Sequence, residues 1–240
     1  MVTDPLYNFT SPAGRECTVA AARFAAVNPS SNVLILGCGS GAGAAVLAKE
    51  FRCKTLAVDI RDGLAQEAMK YCEREGVSHL VTVLDNYSFE KISDDDEPFD
   101  LIIAEGGYLT SASRTPFFKN LAKRLAPRGW AAFADKIYTS AQITSNVQKI
   151  FGEKDKETLN EEIYRNMIKE TALDLQYIGL VPASGFHNHY AHMARRLTNT
   201  TGYYSDSKVR NALHKEINQF YKLDCLKHLG YLFCIVRKNK

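Results

Sequence analysis

Short apolar runs alternate with amphipathic stretches along most of the chain. Val33-Leu34-Ile35-Leu36 has no polar break, which predicts a strand buried on both faces of a sheet. Runs at 55–58, 80–84, 99–104 and 130–134 repeat the pattern. Between them, the spacing predicts helices over 44–52, from a cap at Asp62 to Gly76, and over 114–126, where Phe117, Phe118, Leu121 and Leu125 share a face. An alanine-rich helix over 14–27 precedes the first strand and stops at Asn28-Pro29. Strands alternating with helices predict a parallel α/β sheet. The second half changes rhythm. It reads as a helix over 157–173, a strand over 175–181, an aromatic, His-rich helical stretch over 185–229 and a final strand over 230–237. Two late strands with helices between them predict an antiparallel pair at the sheet edge, with a helical lid inserted before the last strand.

Composition narrows the setting more than the fold. At 240 residues the chain fits one domain over 1–240, with 1–30 as an N-terminal cap segment and helix and 185–229 as the lid. A formal charge of +3 without a basic face argues against nucleic acid. The chain has no run of about 18 apolar residues, so no membrane span is expected. Asp4 and the lack of an apolar leader core argue against export. Cys17, Cys38, Cys53, Cys72, Cys225 and Cys234 form no C-x-x-C pair, which predicts a reducing, cytoplasmic setting with neither disulfides nor a zinc knuckle.

The candidate chemistry sits where the strands end. Gly37, Gly39, Gly41 and Gly43 follow the first strand, with Cys38 and Ser40 between them. Strand, glycine turn and helix bring bare backbone N–H groups up to a ligand. Asp59 ends the second strand about twenty residues on, where an acid accepts from a ribose diol. Asp85 and Asn86 end the third and are placed to read an adenine edge. Glu105-Gly106-Gly107-Tyr108 follows the fourth and Asp135 the fifth. This describes an adenosine site. Gly37-x-Gly39-x-x-Ala42 also meets the loose dinucleotide fingerprint, which keeps an NAD(P)-dependent oxidoreductase as an alternative.

The residues Val33-Leu-Ile-Leu-Gly-Cys-Gly-Ser-Gly41, Ala57-Val-Asp59, Asp85, Phe99-Asp-Leu-Ile102 and Leu125-Ala-Pro-Arg-Gly-Trp130 resemble the class I S-adenosylmethionine-dependent methyltransferases. Ser11-Pro-Ala-Gly-Arg-Glu16, Glu105-Gly-Gly and the Gly230-Tyr-Leu-Phe tail resemble a subgroup of small bacterial methyltransferases of unassigned substrate. The resemblance implies a Rossmann-like, seven-stranded, mostly parallel sheet with an antiparallel last strand and helices on both faces. It implies S-adenosylmethionine as cofactor, S-adenosylhomocysteine as product and a small-molecule methyl acceptor. Gly37, Cys38, Gly39, Ser40 and Gly41 would line the methionine and ribose parts. Asp59 would hold the ribose, Ile60 would pack on adenine, and Asp85 and Asn86 would meet its edge. Glu105 and Gly106 would lie near the methionine part, and the segment from Tyr7 to Glu16 would cover the cofactor. Ile35 departs from the class pattern, which has an acid there; Glu105 or Glu16 would then supply the charge facing the cofactor's ammonium. The same departure motivates a further alternative, a catalytically silent S-adenosylmethionine-binding protein.

Methyl transfer from a sulfonium needs the acceptor held in line behind the methyl group, and needs a base only if the acceptor must lose a proton. The candidate bases are Glu105, Tyr108, His187 and His189. Tyr7, Glu16, Tyr108, Asn188 and Tyr190 are the candidate acceptor pocket. His187-Asn-His189-Tyr-Ala-His192 reads as a polar lid loop rather than a metal site. The lid's aromatic residues fit either a closed small-molecule pocket or a homodimer face.

Overall fold

The computed structural model describes residues 9, 11–61, 63–93, 97–104, 108–111, 114–140, 144–147, 160–198 and 202–239. Its first half is α1 (Gly14–Phe24), β1 (Asn32–Leu36), α2 (Ala42–Phe51), β2 (Lys54–Val58), α3 (Leu64–Arg74), β3 (Val81–Leu84) and β4 (Phe99–Ala104). There follow α4 (Tyr108–Ser111), α5 (Arg114–Arg124), β5 (Leu125–Tyr138), α6 (Glu161–Lys169), β6 (Leu173–Leu180), α7 (Ala183–Arg196), α8 (Ser207–Lys222) and β7 (Leu229–Lys238). The sheet has seven strands in the order β3-β2-β1-β4-β5-β7-β6. Strands β1 to β5 are parallel, and β7 runs antiparallel to both its neighbours. No helix among the described residues is long and apolar enough to cross a membrane.

Period-two alternation divides the core between the sheet's two faces. Val33 and Ile35 of β1, with Leu101 and Ile103 of β4, face Ala21, Ala22, Ala44 and Leu47 of α1 and α2. Small residues there let the helices lie close to the sheet. Leu34, Leu36, Ile102 and Phe133 point the other way, onto Phe117, Phe118 and Leu121 of α5 and Tyr164 and Ile168 of α6. Each such fully buried Leu, Ile or Phe is worth roughly 1.5–3 kcal/mol. The first core continues into the lid through Phe186, Tyr190, Phe220, Tyr231 and Phe233. Local caps start the late helices. Asn160 accepts from Ile163 N at 3.0 Å, and Asp206 accepts from Lys208 N at 2.7 Å and Val209 N at 3.1 Å.

Two elements differ from expectation. Pro127-Arg-Gly, read as a break before the fifth strand, is a bulge inside it. β5 starts at Leu125, shifts register against β4, and carries Arg128 with a φ of 60°. The presumed polar loop at 187–192 is helical, part of α7.

Register fixes where the site lies. Leu36 pairs with Val58 and with Ala104, Val58 with Leu84, and Ala104 with Phe133. These residues form one row across the sheet, and the segments that follow them emerge on one edge. β5 continues beyond the row, paired with β7 as far as Tyr138.

Candidate functional site at the strand ends

The glycine turn is anchored to the neighbouring strand. Gly37 N and Cys38 N donate to Val58 O at 2.9 and 3.0 Å, and Gly41 N donates to Cys38 O at 3.0 Å. Gly37, Gly39 and Gly41 have φ of 76°, 55° and 86°, backbone that favours glycine. At Gly41 space is limiting as well: a Cβ would lie 2.9 Å from Ala68 Cα. Burial and the neighbouring Asp59 push the Cys38 thiol well above its ordinary range, so it stays protonated and is no nucleophile.

Asp59 is buried beneath the turn. Its Oδ2 accepts from Gly39 N and Arg61 Nη2, each at 2.9 Å. Its Oδ1 accepts from Arg61 N at 3.0 Å and Arg61 Nε at 2.9 Å. Burial opposes ionisation, but the hydrogen bonds and charge of Arg61, with the Gly39 N–H, outweigh it. The carboxyl titrates below its ordinary value. Ile60, next in the chain, is 39% exposed, an uncovered apolar side chain beside the acid. Asp85 lies exposed at the end of β3, accepting from Gly63 N at 3.4 Å and Asn86 N at 3.1 Å. Tyr87 N donates to Asp59 O at 3.0 Å and ties the two strand ends together. Asn86 has a φ of 46°, and its carbonyl accepts from Lys91 Nζ at 3.0 Å.

The lid reaches the turn directly. Arg196, in the last turn of α7, donates from Nη2 to Ser40 Oγ at 3.2 Å and from Nη1 to Tyr204 OH at 3.0 Å. A crevice of about 300 Å³ separates α7 from the N-terminal segment. Ser11, Arg15, Glu16, Asn188, His189, His192 and Arg195 are among its lining residues. A second cavity of about 80 Å³ is lined by Phe9, Arg61, His189, Met193, Arg196, Tyr204 and Leu213. His189 borders both. Its Nδ1 is buried and finds no hydrogen-bond partner among the described residues. Burial, then the charges of Arg196 and His192, push its pKa down to about 4, so the imidazole is neutral near pH 7.

Helical geometry separates residues expected to act together. On α7, successive residues turn by about 100°, so His187 and His189 diverge. His187 is exposed and stacked on Tyr221 at 6.2 Å. Tyr190, expected in the acceptor pocket, is packed inside the lid. Its ring stacks on Phe220 at 4.0 Å, and its hydroxyl donates to Glu216 at 3.0 Å. Tyr108 is likewise built into the core. Its hydroxyl accepts from Phe89 N at 3.0 Å, its ring packs on Phe117, and burial pushes its pKa up to about 12. Asp135 is not a free strand end. It lies within β5, where it accepts from Arg114 Nη2 at 2.9 Å, from Lys136 N at 2.8 Å and from the Tyr164 hydroxyl. Glu16 is exposed on the crevice, as Asn188 is. Glu105, Gly106 and Tyr7 lie outside the described residues.

Arg61 and Arg196 are the site residues that sequence reasoning missed. Arg61 had a local signal, a cation two positions after a strand-end acid. Arg196 had none, because it meets Ser40 only through the fold.

Comparison with known proteins agrees with this geometry. The family described as Methyltransferase domain matches residues 33–129. A sarcosine/dimethylglycine N-methyltransferase of Halorhodospira halochloris is 26% identical over 179 residues, 73% of this chain and 63% of that protein. A glycine/sarcosine/dimethylglycine N-methyltransferase of Actinopolyspora halophila is 28% identical over 109 residues, 45% of this chain and 19% of that protein. The chain therefore matches less than two thirds of the length of either relative. Among solved structures, a SAM-dependent methyltransferase of Thiobacillus denitrificans in complex with S-adenosyl-L-homocysteine superposes with a TM-score of 0.77. It is 18% identical, covering 97% of this chain and 94% of that one. Residues 33–129 are thus similar to that family, and the chain shares the Rossmann-like fold of the Thiobacillus denitrificans structure.

Proposed function

We propose that residues 1–240 act as one unit, cap segment and lid included, that transfers a methyl group from S-adenosylmethionine to a small-molecule acceptor. The observation that carries this reading is the row of strand ends, which sets the glycine turn, Asp59, Ile60 and Asp85 side by side. These residues fit the cofactor. The turn offers backbone without Cβ atoms, Asp59 a buried carboxylate, Ile60 an uncovered apolar side chain and Asp85 an exposed acceptor. When bound, S-adenosylmethionine supplies an electrophilic methyl group on a sulfonium. Asp59 binds the ribose, Ile60 covers the adenine, Asp85 and Asn86 meet its edge, and the glycine turn with Ser40 borders the remainder.

The acceptor occupies the crevice between the N-terminal segment and α7. Glu16 offers it a negative group there, and the crevice is also lined by Arg195 and by Arg15, whose guanidinium pairs with Glu50. That lining suits a small molecule carrying both an amine and a carboxylate, the substrate class named for the two relatives. His189, with a pKa of about 4, does not store a proton near neutrality. Glycine or sarcosine binds as the free amine, its ammonium proton having gone to solvent; His189 then accepts a hydrogen bond from an N–H of that amine and so aims the nitrogen lone pair. Positioning of this kind contributes roughly 7–11 kcal/mol to such a displacement. The lid keeps water from the reacting groups.

Thermal shift with S-adenosylmethionine, S-adenosylhomocysteine, NAD and NADP is the first test. The expected result is stabilisation by the first two, by about 2.7 kcal/mol at a hundredfold excess over Kd. Radiolabel from the cofactor's methyl should then pass to glycine, sarcosine or dimethylglycine, appearing as sarcosine, dimethylglycine or trimethylglycine. Stabilisation by NAD or NADP alone would overturn the reading.

A further inference from the structure

We propose that Arg61 is an internal competitor for the ribose position, so that the cofactor binds only by displacing its guanidinium from Asp59. This rests on the cofactor reading above. An ionised carboxylate offers about four lone-pair sites. All are taken in Asp59, by Gly39 N, Arg61 N, Arg61 Nε and Arg61 Nη2, at 2.9 to 3.0 Å. A ribose diol brings two more donors and needs two of these sites. The backbone donors are held by the chain itself, Gly39 N in the turn and Arg61 N two residues along from the carboxylate it bonds. The two side-chain donors can leave. The Arg61 side chain is 36% exposed, against 1% for its partner. It also borders the cavity of about 80 Å³ shared with His189 and Arg196, which gives the guanidinium somewhere to go. The fork of Nε and Nη2 has the planar, two-point geometry with which a vicinal diol would address the same carboxylate. Arg61 thus keeps a buried acid paired until an adenosine takes over, and lowers cofactor affinity by the strength of the contact it gives up.

Isothermal calorimetry on the full chain tests this with three ligands: S-adenosylhomocysteine, neutral 5′-methylthioadenosine, and 2′,3′-dideoxyadenosine, which lacks the diol. Arg61→Ala should tighten the first two roughly 10- to 150-fold and leave dideoxyadenosine unchanged, the range expected when one charge-assisted pair no longer competes. Arg61→Gln, which keeps the stem, repeats the test if Arg61→Ala does not fold. Equal or weaker binding of the two diol ligands by both variants would overturn the competitor role alone. Failure of wild type and variants to bind any adenosine ligand would overturn the cofactor reading, and this inference with it.

Discussion

Ile35 occupies the position where the class pattern has an acid, and its surroundings explain why an apolar residue stands there. It is 3% exposed, on the face of β1 that meets α1 and α2. A Cβ built on Gly43 would touch Ile35 Cδ1 at 3.5 Å and Thr18 Cγ2 at 3.9 Å, so β1, α1 and α2 converge on this side chain. Negative charge under the glycine turn comes instead from Asp59, through Gly39 N at 2.9 Å. Ile35→Glu should therefore not restore anything. It places an unpaired carboxyl among apolar atoms and should lower stability by roughly 2–5 kcal/mol. Ile35→Val should cost only about 0.5–1.5 kcal/mol. Urea unfolding of both variants measures the difference, and an Ile35→Glu protein as stable as wild type would contradict it. At this scale the sequence was most informative where a residue's role is local. Gly37 to Gly41, Asp59 and Ile60 stand where strand-end rules put them. Tyr108, His187 and Tyr190 are packed against Phe117, Tyr221 and Phe220, because the direction a side chain takes depends on its partners in space.

At the scale of elements, the first five strands and the helices between them were legible because each is a continuous run of one period. The lid was legible as helical overall, but the polar residues around His189 hid α7. Phe186, Tyr190 and Leu197, all buried, lie four and seven positions apart, a helical stripe that the histidines obscured. α7 approaches the N-terminal segment at Gly185. A Cβ there would lie 2.5 Å from Pro12 O and 2.7 Å from Val181 Cγ1. A backbone carbonyl cannot rotate aside as a side-chain tip can, so Gly185→Ala should move the helix. Overpacking of this kind costs about 1–3 kcal/mol. Amide exchange across residues 183–196 should accelerate by roughly tenfold or more, while β1 and β4 keep their protection. Exchange mass spectrometry on wild type and variant reads this directly. Unchanged exchange in α7 would mean that the helix is not held by this contact.

At the scale of the molecule, one buried network joins three elements. Asp135 of β5 accepts from Arg114 of α5 and from Tyr164 of α6, and Arg114 Nε also donates to the Tyr164 hydroxyl at 3.0 Å. Arg114 is 9% exposed and Asp135 1%. Burial, with Asp135 beside it, drives the Tyr164 hydroxyl far above its ordinary range, so it remains a donor. Asp135→Leu removes the carboxylate that the buried Arg114 and Tyr164 share and should cost about 3–5 kcal/mol. Tyr164→Phe, which leaves the ion pair, should cost about 1–3 kcal/mol. Denaturant midpoints should rank the variants in that order, and the reverse order would show that the tyrosine rather than the ion pair holds the three elements. None of this could be read from the sequence, since the three residues are far apart in the chain and Asp135 looked like one more strand-end acid.

The place of β7 has a kinetic consequence. It pairs with β5 from Trp130↔Arg237 to Tyr138↔Leu229, and β6 joins the sheet only through it. Everything from α6 to α8 lies inside the loop that this ladder closes. Such distant partners must find one another before their pairing returns any stability. Closing this ladder therefore costs the loop entropy of the whole intervening segment, and the crevice is complete only once the ladder has formed.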